Sequence, residues 1–305
     1  MTDVGRKRAT NQDQFLIAQL NKSMLVSSTS LQVSSRSRLF GSVQGQLLLV
    51  ADGMGGHAAG EKASFLAVDH LISRLLNSVH WFFQADHDRE EEFIDALKEL
   101  LHDAHAKILS EASKNLDQFG MGTTLTLAHL VWPRMYVVHV GDSRCYLVRG
   151  GEVDQLTTDH TLAHQLVESG GLRPEDESTS RWSNVLWNVL GGHSDAKLVA
   201  EVRRAELREG DTVVLCSDGL HRYLDPQALA IIVAEEANPQ AICRRLVKLA
   251  IDAGGEDNVT VVVSQPTPES PGRSGHIPDK SSAEQVATVD QRDHDTWVEE
   301  TLPEE

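Results

Sequence analysis

The sequence predicts an α+β fold in which antiparallel strands stack as a sandwich and helices pack outside. Two observations carry that expectation. Strand-like runs come in groups instead of alternating one by one with helices, which argues against a parallel, doubly wound sheet. The chain has 305 residues, 40% apolar and 24% charged, ordinary globular proportions with enough length for a sizeable core.

In chain order, QLLLVAD (46–52) is the first clear strand, preceded by a Ser-rich stretch between Asn21 and Ser42 that reads as a mobile loop. Leu71 to Phe83 reads as an amphipathic helix, interrupted by Arg74, Asn77 and His80. EEFIDALKELLHDAHAKIL is plainly helical, because Phe93, Leu97, Leu100, Leu101, Ala104 and Ile108 recur at three- and four-residue spacing. TTLTLAHLVW (123–132) and RMYVVHVGD (134–142) form a strand pair joined at Pro133-Arg134, and CYLVRG (145–150) follows. TVVLCSDG (212–219) and VTVVVS (259–264) complete the strand-like runs. Between them, Asp225-Pro226 opens a helix as N-cap and first-turn proline, and another runs from Pro239 to Gly254-Gly255.

Residues 1–264 therefore read as one catalytic-sized domain. The composition changes afterwards: residues 265–305 hold five prolines and ten acids against three bases, too little apolar surface to offset the entropy of ordering. That segment reads as a disordered acidic tail with one large aromatic, Trp297. The whole chain carries a net charge of −17, which argues against coating nucleic acid or an anionic membrane. Cys145, Cys216 and Cys243 are far apart in sequence, so neither a disulfide framework nor a thiolate metal site is expected. No apolar run reaches the length of a membrane span, and the N-terminus lacks the apolar core of a signal peptide. A cytoplasmic monomer is the expectation.

Chemistry is suggested by carboxylates placed where apolar strands stop. Asp52 ends QLLLVAD, Asp142 ends YVVHVGD, Asp218 ends VVLCSD, and Asp257 lies in GGEDN just before VTVVV; Asp13 follows an extended start. Any one of these is explained equally well by turn capping. Four at matching strand ends are not. Two unit charges ~4 Å apart repel by roughly 4 kcal/mol at an effective dielectric near 20, so converging carboxylates need protons or cations. All-oxygen ligation selects hard ions, Mg²⁺ or Mn²⁺. Two such ions can share and acidify a water aimed at phosphorus. No phosphate-loop, zinc-protease or serine-hydrolase motif competes.

The ordered series TDVGRKRATNQD, VADGMGGHAAGE, GMGTTLTLA, VHVGDSRCYLVRGGEV, TTDHTLAHQLVESG, VLCSDGL and GGEDNVTVVVS resembles the metal-dependent Ser/Thr protein phosphatases of the PPM (2C-like) family, in their bacterial form. The resemblance spans about residues 1–264. It implies a four-layer α-β-β-α sandwich, two antiparallel β-sheets flanked by helices, with metals at one end. It implies hydrolysis of phosphoserine and phosphothreonine on proteins by a metal-bridged water, opposing a cognate Ser/Thr kinase. Matched position by position, Asp52 would bridge two Mn²⁺ or Mg²⁺ ions and Gly53 would offer its carbonyl to the first. Asp218 and Asp257 would complete the second site, and Asp142 with Asp218 would hold a third, weaker ion. Asp13 would hold a metal-bound water, Arg8 would grip substrate phosphate, and Thr123, Thr124 and Asn258 would brace the ligands.

Some positions depart from the family. Gln12 stands where many relatives have Glu. Met54 replaces the histidine proposed as leaving-group acid in eukaryotic members, which leaves His57 and His160 as candidates, although His160, like Ser143 and Arg144, reads more readily as hydrogen-bonded architecture than as a catalyst. Residues 161–195 fit the flap beside the active site, and Trp182 and Trp187 make this one Trp-rich. The alternative reading is a pseudophosphatase that binds without turnover. The tail supplies a direct test. Truncation after Ser264 cuts no expected strand or helix, so melting temperature and phosphopeptide kcat/KM should both stay close to those of the full chain.

Overall fold

Along strand β3 (Arg38–Met54), Leu47, Leu49 and Ala51 face one way and Leu48 and Val50 the other, and all five are buried. A strand buried on both faces needs a layer on each side. In the computed structural model, which describes residues 1–28, 30, 38–77, 90–193 and 197–267, one face packs on helices α1 (His57–Asn77) and α2 (Glu90–Ala112). The other face meets a second sheet across a core of Leu48, Val50, Val137, Val213, Leu215 and Val262.

The first sheet is built around β3. One edge of β3 pairs with β2 (Asp13–Leu25); the other pairs with β5 (Leu125–Val131) and, at Gly53 and Met54, with β4 (Gly122–Thr123). β6 (Arg134–Val140), β9 (Leu190–Gly191) and β10 (Glu201–Glu206) complete it in the order β10-β6-β5-β3-β4-β9. The second sheet runs β1-β12-β11-β7-β8, from β1 (Thr2–Asp3), β12 (Val259–Ser264), β11 (Thr212–Cys216), β7 (Arg144–Arg149) and β8 (Glu152–Gln155). Every recorded strand pairing is antiparallel. Its outer face is covered by α5 (Pro226–Glu235) and α6 (Pro239–Asp252), through Ile232, Ile242, Leu246 and Ala250. Helices, sheet, sheet and helices make the expected four layers.

The local signals hold up where they were strong. All six apolar positions named for α2 are buried. Asp225 and Asn238 each accept a hydrogen bond from the backbone N–H two residues on, with proline at the next position, so both helices begin where capping chemistry predicts. The stretch from Asn21 to Ser42 differs from expectation. Residues 21–25 and 38–42 are not loop but the far end of the β2–β3 hairpin. The signal was weak because β2 is an edge strand: Leu16, Ala18 and Leu20 pack on the core while Phe15 and Ile17 stay exposed. Likewise β10, EVRRAE, is an edge strand rich in charge. The centre of the Ser-rich stretch, Leu76's continuation towards Phe83, and the acidic tail with Trp297 lie outside the described residues.

Leu48 sits fully buried between the two sheets. Leu48→Ala should cost about 2–5 kcal/mol of unfolding free energy, read from chemical denaturation, because sandwiched sheets close around a void less readily than a surface does.

Candidate active site

The four strand-end carboxylates meet at one end of the sandwich. Asp52 comes from the end of β3, Asp142 from the turn after β6, Asp218 from the first residue of the short helix α4 (Asp218–His221), and Asp257 from the turn before β12. All four line a cavity of about 380 Å³, together with Arg8, Gly53 and Met54. Two glycines permit the approach. A Cβ on Gly219 would lie 1.9 Å from the carbonyl oxygen of Asn258, so only glycine lets α4 press against the turn that carries Asp257. At Gly53 a Cβ would lie 2.1 Å from the carbonyl oxygen of Gly60 and 2.9 Å from that of Gln12. β3 therefore passes between β2 and α1 only where it has no side chain.

Behind the cavity stands Asp13, directly opposite Asp52 in the β2–β3 register. It is buried; its Oδ2 accepts a hydrogen bond from Ser217 Oγ at 2.8 Å, and its Oδ1 has no hydrogen-bond partner among the described residues. Asp218 Oδ1 is also buried with no hydrogen-bond partner among the described residues. Burial pushes the Asp13 carboxyl up to about 7, with Asp218 and Asp257 adding repulsion. Burial likewise drives Asp52 far above the usual carboxylate range, reinforced by Asp13, Asp218, Asp142 and Asp257. Asp142 and Asp218 are raised too, chiefly by burial. The site is built to hold negative charge that it cannot itself neutralise.

Two arginines offset part of that charge. Arg8 donates to Asp257 Oδ2 at 2.6 Å and keeps its side chain half-exposed. Arg222, absent from the sequence-based candidates, is bonded to Asp218 and lies 3.8 Å from Asp257. Its signal was present: it follows Asp218 by four residues, one helical turn.

The bracing groups hold backbone. Thr123 Oγ1 donates to the Asp52 carbonyl and Thr124 Oγ1 accepts from the Asp52 N–H. Asn258 accepts from Gln12 N–H and donates to the carbonyls of Val4 and Thr10, fixing the segment that carries Arg8. Ser143 shares a hydrogen bond with Thr124, and Arg144 forks onto Asp159 at 2.7–3.1 Å. Both are architecture, as expected. So is His160. Its backbone N–H donates to the Gly141 carbonyl, its Nδ1 accepts from the Gly141 N–H at 3.0 Å, and its ring packs on Trp187. It does not reach the cavity, and it leaves the list of leaving-group acids. The side chain of His57 lies outside the described residues. Among the described residues no histidine lines the cavity. His139, His160 and Glu201 place three ligand-type atoms within 4.8 Å of one another. However, His139 already uses both ring nitrogens, on Thr126 and on the carbonyls of Gly141 and Thr158. That cluster is a clamp.

The flap contributes Asn184 and Leu186 to the cavity, between α3 (Leu162–Glu168) and β9. Neither tryptophan lines it: Trp187 turns to His160, and Trp182 lies under the guanidinium of Arg181 at 4.5 Å. Nothing in the sequence singled out Asn184, a lone polar residue in a loop.

A four-layer sandwich with buried carboxylates at one end defines a class, and comparison places the chain in it. The sequence model of the Protein phosphatase 2C family matches residues 36–246, and the chain belongs to that family, which is metal-dependent. The matched range contains Asp52, Gly53, Asp142 and Asp218 but not Arg8, Asp13 or Asp257, whose places rest on the geometry above. The chain is 37% identical over 224 residues to the serine/threonine protein phosphatase PstP of Mycobacterium tuberculosis, covering 72% of this chain but 40% of that protein. It is 33% identical over 217 residues to the serine/threonine phosphatase stp of Listeria monocytogenes, covering 71% of this chain and 83% of the relative. The crystal structure of the PstP catalytic domain in complex with two manganese ions superposes with a TM-score of 0.65 at 31% identity, covering 86% of this chain and 94% of that one. Among the described residues no helix is long and apolar enough to cross a membrane.

The charge cluster has a consequence for pH. Carboxyls with raised folded-state pKa values bind protons that the unfolded chain has released, so their stabilisation is lost as pH rises through the folded values. The buried His139, His160 and His221, lowered to about 3, about 4 and about 3 chiefly by burial, act oppositely, but only below about 6.5, the ordinary histidine value. In chelator, the melting temperature should therefore fall between about pH 6.5 and 8.5, and Asp13→Asn should flatten that slope.

Proposed function

We propose that this chain hydrolyses phosphoserine and phosphothreonine esters on proteins, opposing a Ser/Thr kinase in the cytoplasm, as a monomer whose catalytic unit is residues 1–264. The observation that carries the reading is the convergence of four carboxylates with an unpartnered, buried Asp218 oxygen beside an arginine exposed enough to meet substrate. The donor set is all oxygen, which fits Mn²⁺ or Mg²⁺. Asp52, the Gly53 carbonyl, Asp218 and Asp257 would hold two ions, with Asp142 and Asp218 available to a third. When bound, the ions supply positive charge to the cavity and acidify water for attack on phosphorus.

The chain's own residues perform the rest. Arg8 is held on one oxygen of Asp257, and a phosphate dianion offers its planar fork a stronger, bidentate partner. Arg222 stays on Asp218 and keeps that carboxylate aimed into the cavity. Asp13 stands opposite Asp52 in the β2–β3 register and would hold a water beside it through Oδ1, which has no partner among the described residues. The Thr123 and Thr124 hydroxyls hold the Asp52 backbone still. The cysteines, all free and buried, take no part.

Phosphate release from a phosphothreonine peptide, with Mn²⁺ and with chelator, tests the reading; metal-independent turnover, or none with any divalent metal, would refute it and favour the pseudophosphatase. Asp218→Asn should lower metal-dependent turnover by at least about a hundredfold while the protein stays folded, because relief of carboxylate repulsion offsets lost ligation. Near-normal turnover of that variant at sub-millimolar Mn²⁺ would remove Asp218 from the ligand set.

A further inference from the structure

The reaction cavity has a larger neighbour. A second cavity of about 800 Å³ lies between the flap, the β7–β8 edge and α4. The two cavities share three residues, Asp142, Asn184 and Arg222. Asn184 therefore stands at the neck between them. Its side-chain amide makes no hydrogen bond to the described residues, so its donor and acceptor are both available to a passing peptide unit. A phosphorylated side chain can fill the smaller cavity, but the polypeptide on one side of it must continue somewhere, and the larger cavity is continuous with that path.

The charge lining this space is uneven. Arg144 is consumed by its fork onto Asp159, and Arg222 by Asp218 and Asp257. Glu256 is paired with Lys7. Besides Asp142, which belongs to the reaction cavity as well, Glu177 and Glu168 remain, and they share one imidazole: His164 Nδ1 lies 2.9 Å from Glu177, and its Nε2 lies 3.8 Å from Glu168. A single imidazole neutralises at most one of two carboxylates. The Glu168 side chain is 67% exposed, and among the described residues no lysine or arginine is paired with it. The lining thus presents uncompensated negative charge and no uncompensated arginine or lysine.

We infer that the larger cavity is a groove for the polypeptide flanking the phosphorylated residue, and that Glu168 and Glu177 select basic side chains there. The inference rests on the phosphatase reading and narrows its substrate class to phosphopeptides with arginine or lysine near the phosphorylated residue. It also assigns Asn184 to holding the peptide backbone at the neck.

The test uses the full chain with Mn²⁺ and two phosphothreonine peptides, identical except for arginine or glutamate at the second and third positions on each side. The arginine peptide should be favoured about tenfold in kcat/KM, as two partly exposed ion pairs allow. The preference should lie mainly in KM and shrink with added salt. The Glu168→Gln, Glu177→Gln double variant should cut the ratio to about twofold, and Glu168→Lys alone should lower it as well. The ratio is internal to each variant, so loss of folded protein cancels. Equal rates on the two peptides, a preference for glutamate, or a preference untouched by the double variant would overturn the groove and leave the phosphatase standing. If the unaltered chain hydrolysed neither peptide, the phosphatase reading would fall and the groove with it.

Discussion

Mutual repulsion among buried carboxylates is the constraint around which this molecule is arranged. Asp13, Asp52, Asp142 and Asp218 all have their ionised forms disfavoured by burial first and by neighbouring carboxylates, Asp257 among them, second. No local gain in stability explains such a cluster, since like charges in a partly dry cavity oppose folding. The protein holds them because each sits on or next to a strand whose other residues are locked in a hydrophobic layer. Leu48 and Val50 lead to Asp52, Val213 and Leu215 lead to Asp218, and the buried run of β12 follows directly after Asp257. Core packing holds in place what electrostatics would disperse.

The same logic explains why the sandwich has two sheets. Asp52 and Asp142 come from the first sheet, Asp218 and Asp257 from the second, and the site lies where the two layers end together. The asparagine and threonine contacts around it are mostly to backbone, so they fix strand ends relative to one another and leave the carboxylates unsaturated. Asn258 shows this most clearly. By tying Val4, Thr10 and Gln12 to the turn beside Asp257, it brings the N-terminal segment to the start of β12 and sets Arg8 over the cavity.

On the proposed reading, substrate choice falls to the flap, outside that rigid frame. His160 clamps the turn carrying Asp142, while its neighbour segment supplies Asn184, Leu186, Glu168 and Glu177 to the two adjoining cavities. The groups proposed for catalysis and those proposed for selection are thus carried by different parts of the fold.

The sequence by itself determined the layer pattern and the acidic strand ends. Alternation along QLLLV, the helical spacing in α2 and the Asp-Pro and Asn-Pro starts of α5 and α6 are local signals, each decided by residues within one or two turns. Asp52, Asp142, Asp218 and Asp257 were legible because short polar residues at the ends of apolar runs stand out. Edge strands were less so. β2 and β10 have one side open to solvent, and exposure blurs the apolar pattern that betrays a central strand. What only the tertiary structure decided was proximity. Arg222 neutralising Asp218 and Asp257, His160 turned away from the cavity, and Asn184 at the neck of two cavities all depend on contacts between distant segments. Such contacts leave no period in the sequence, because nothing local requires them.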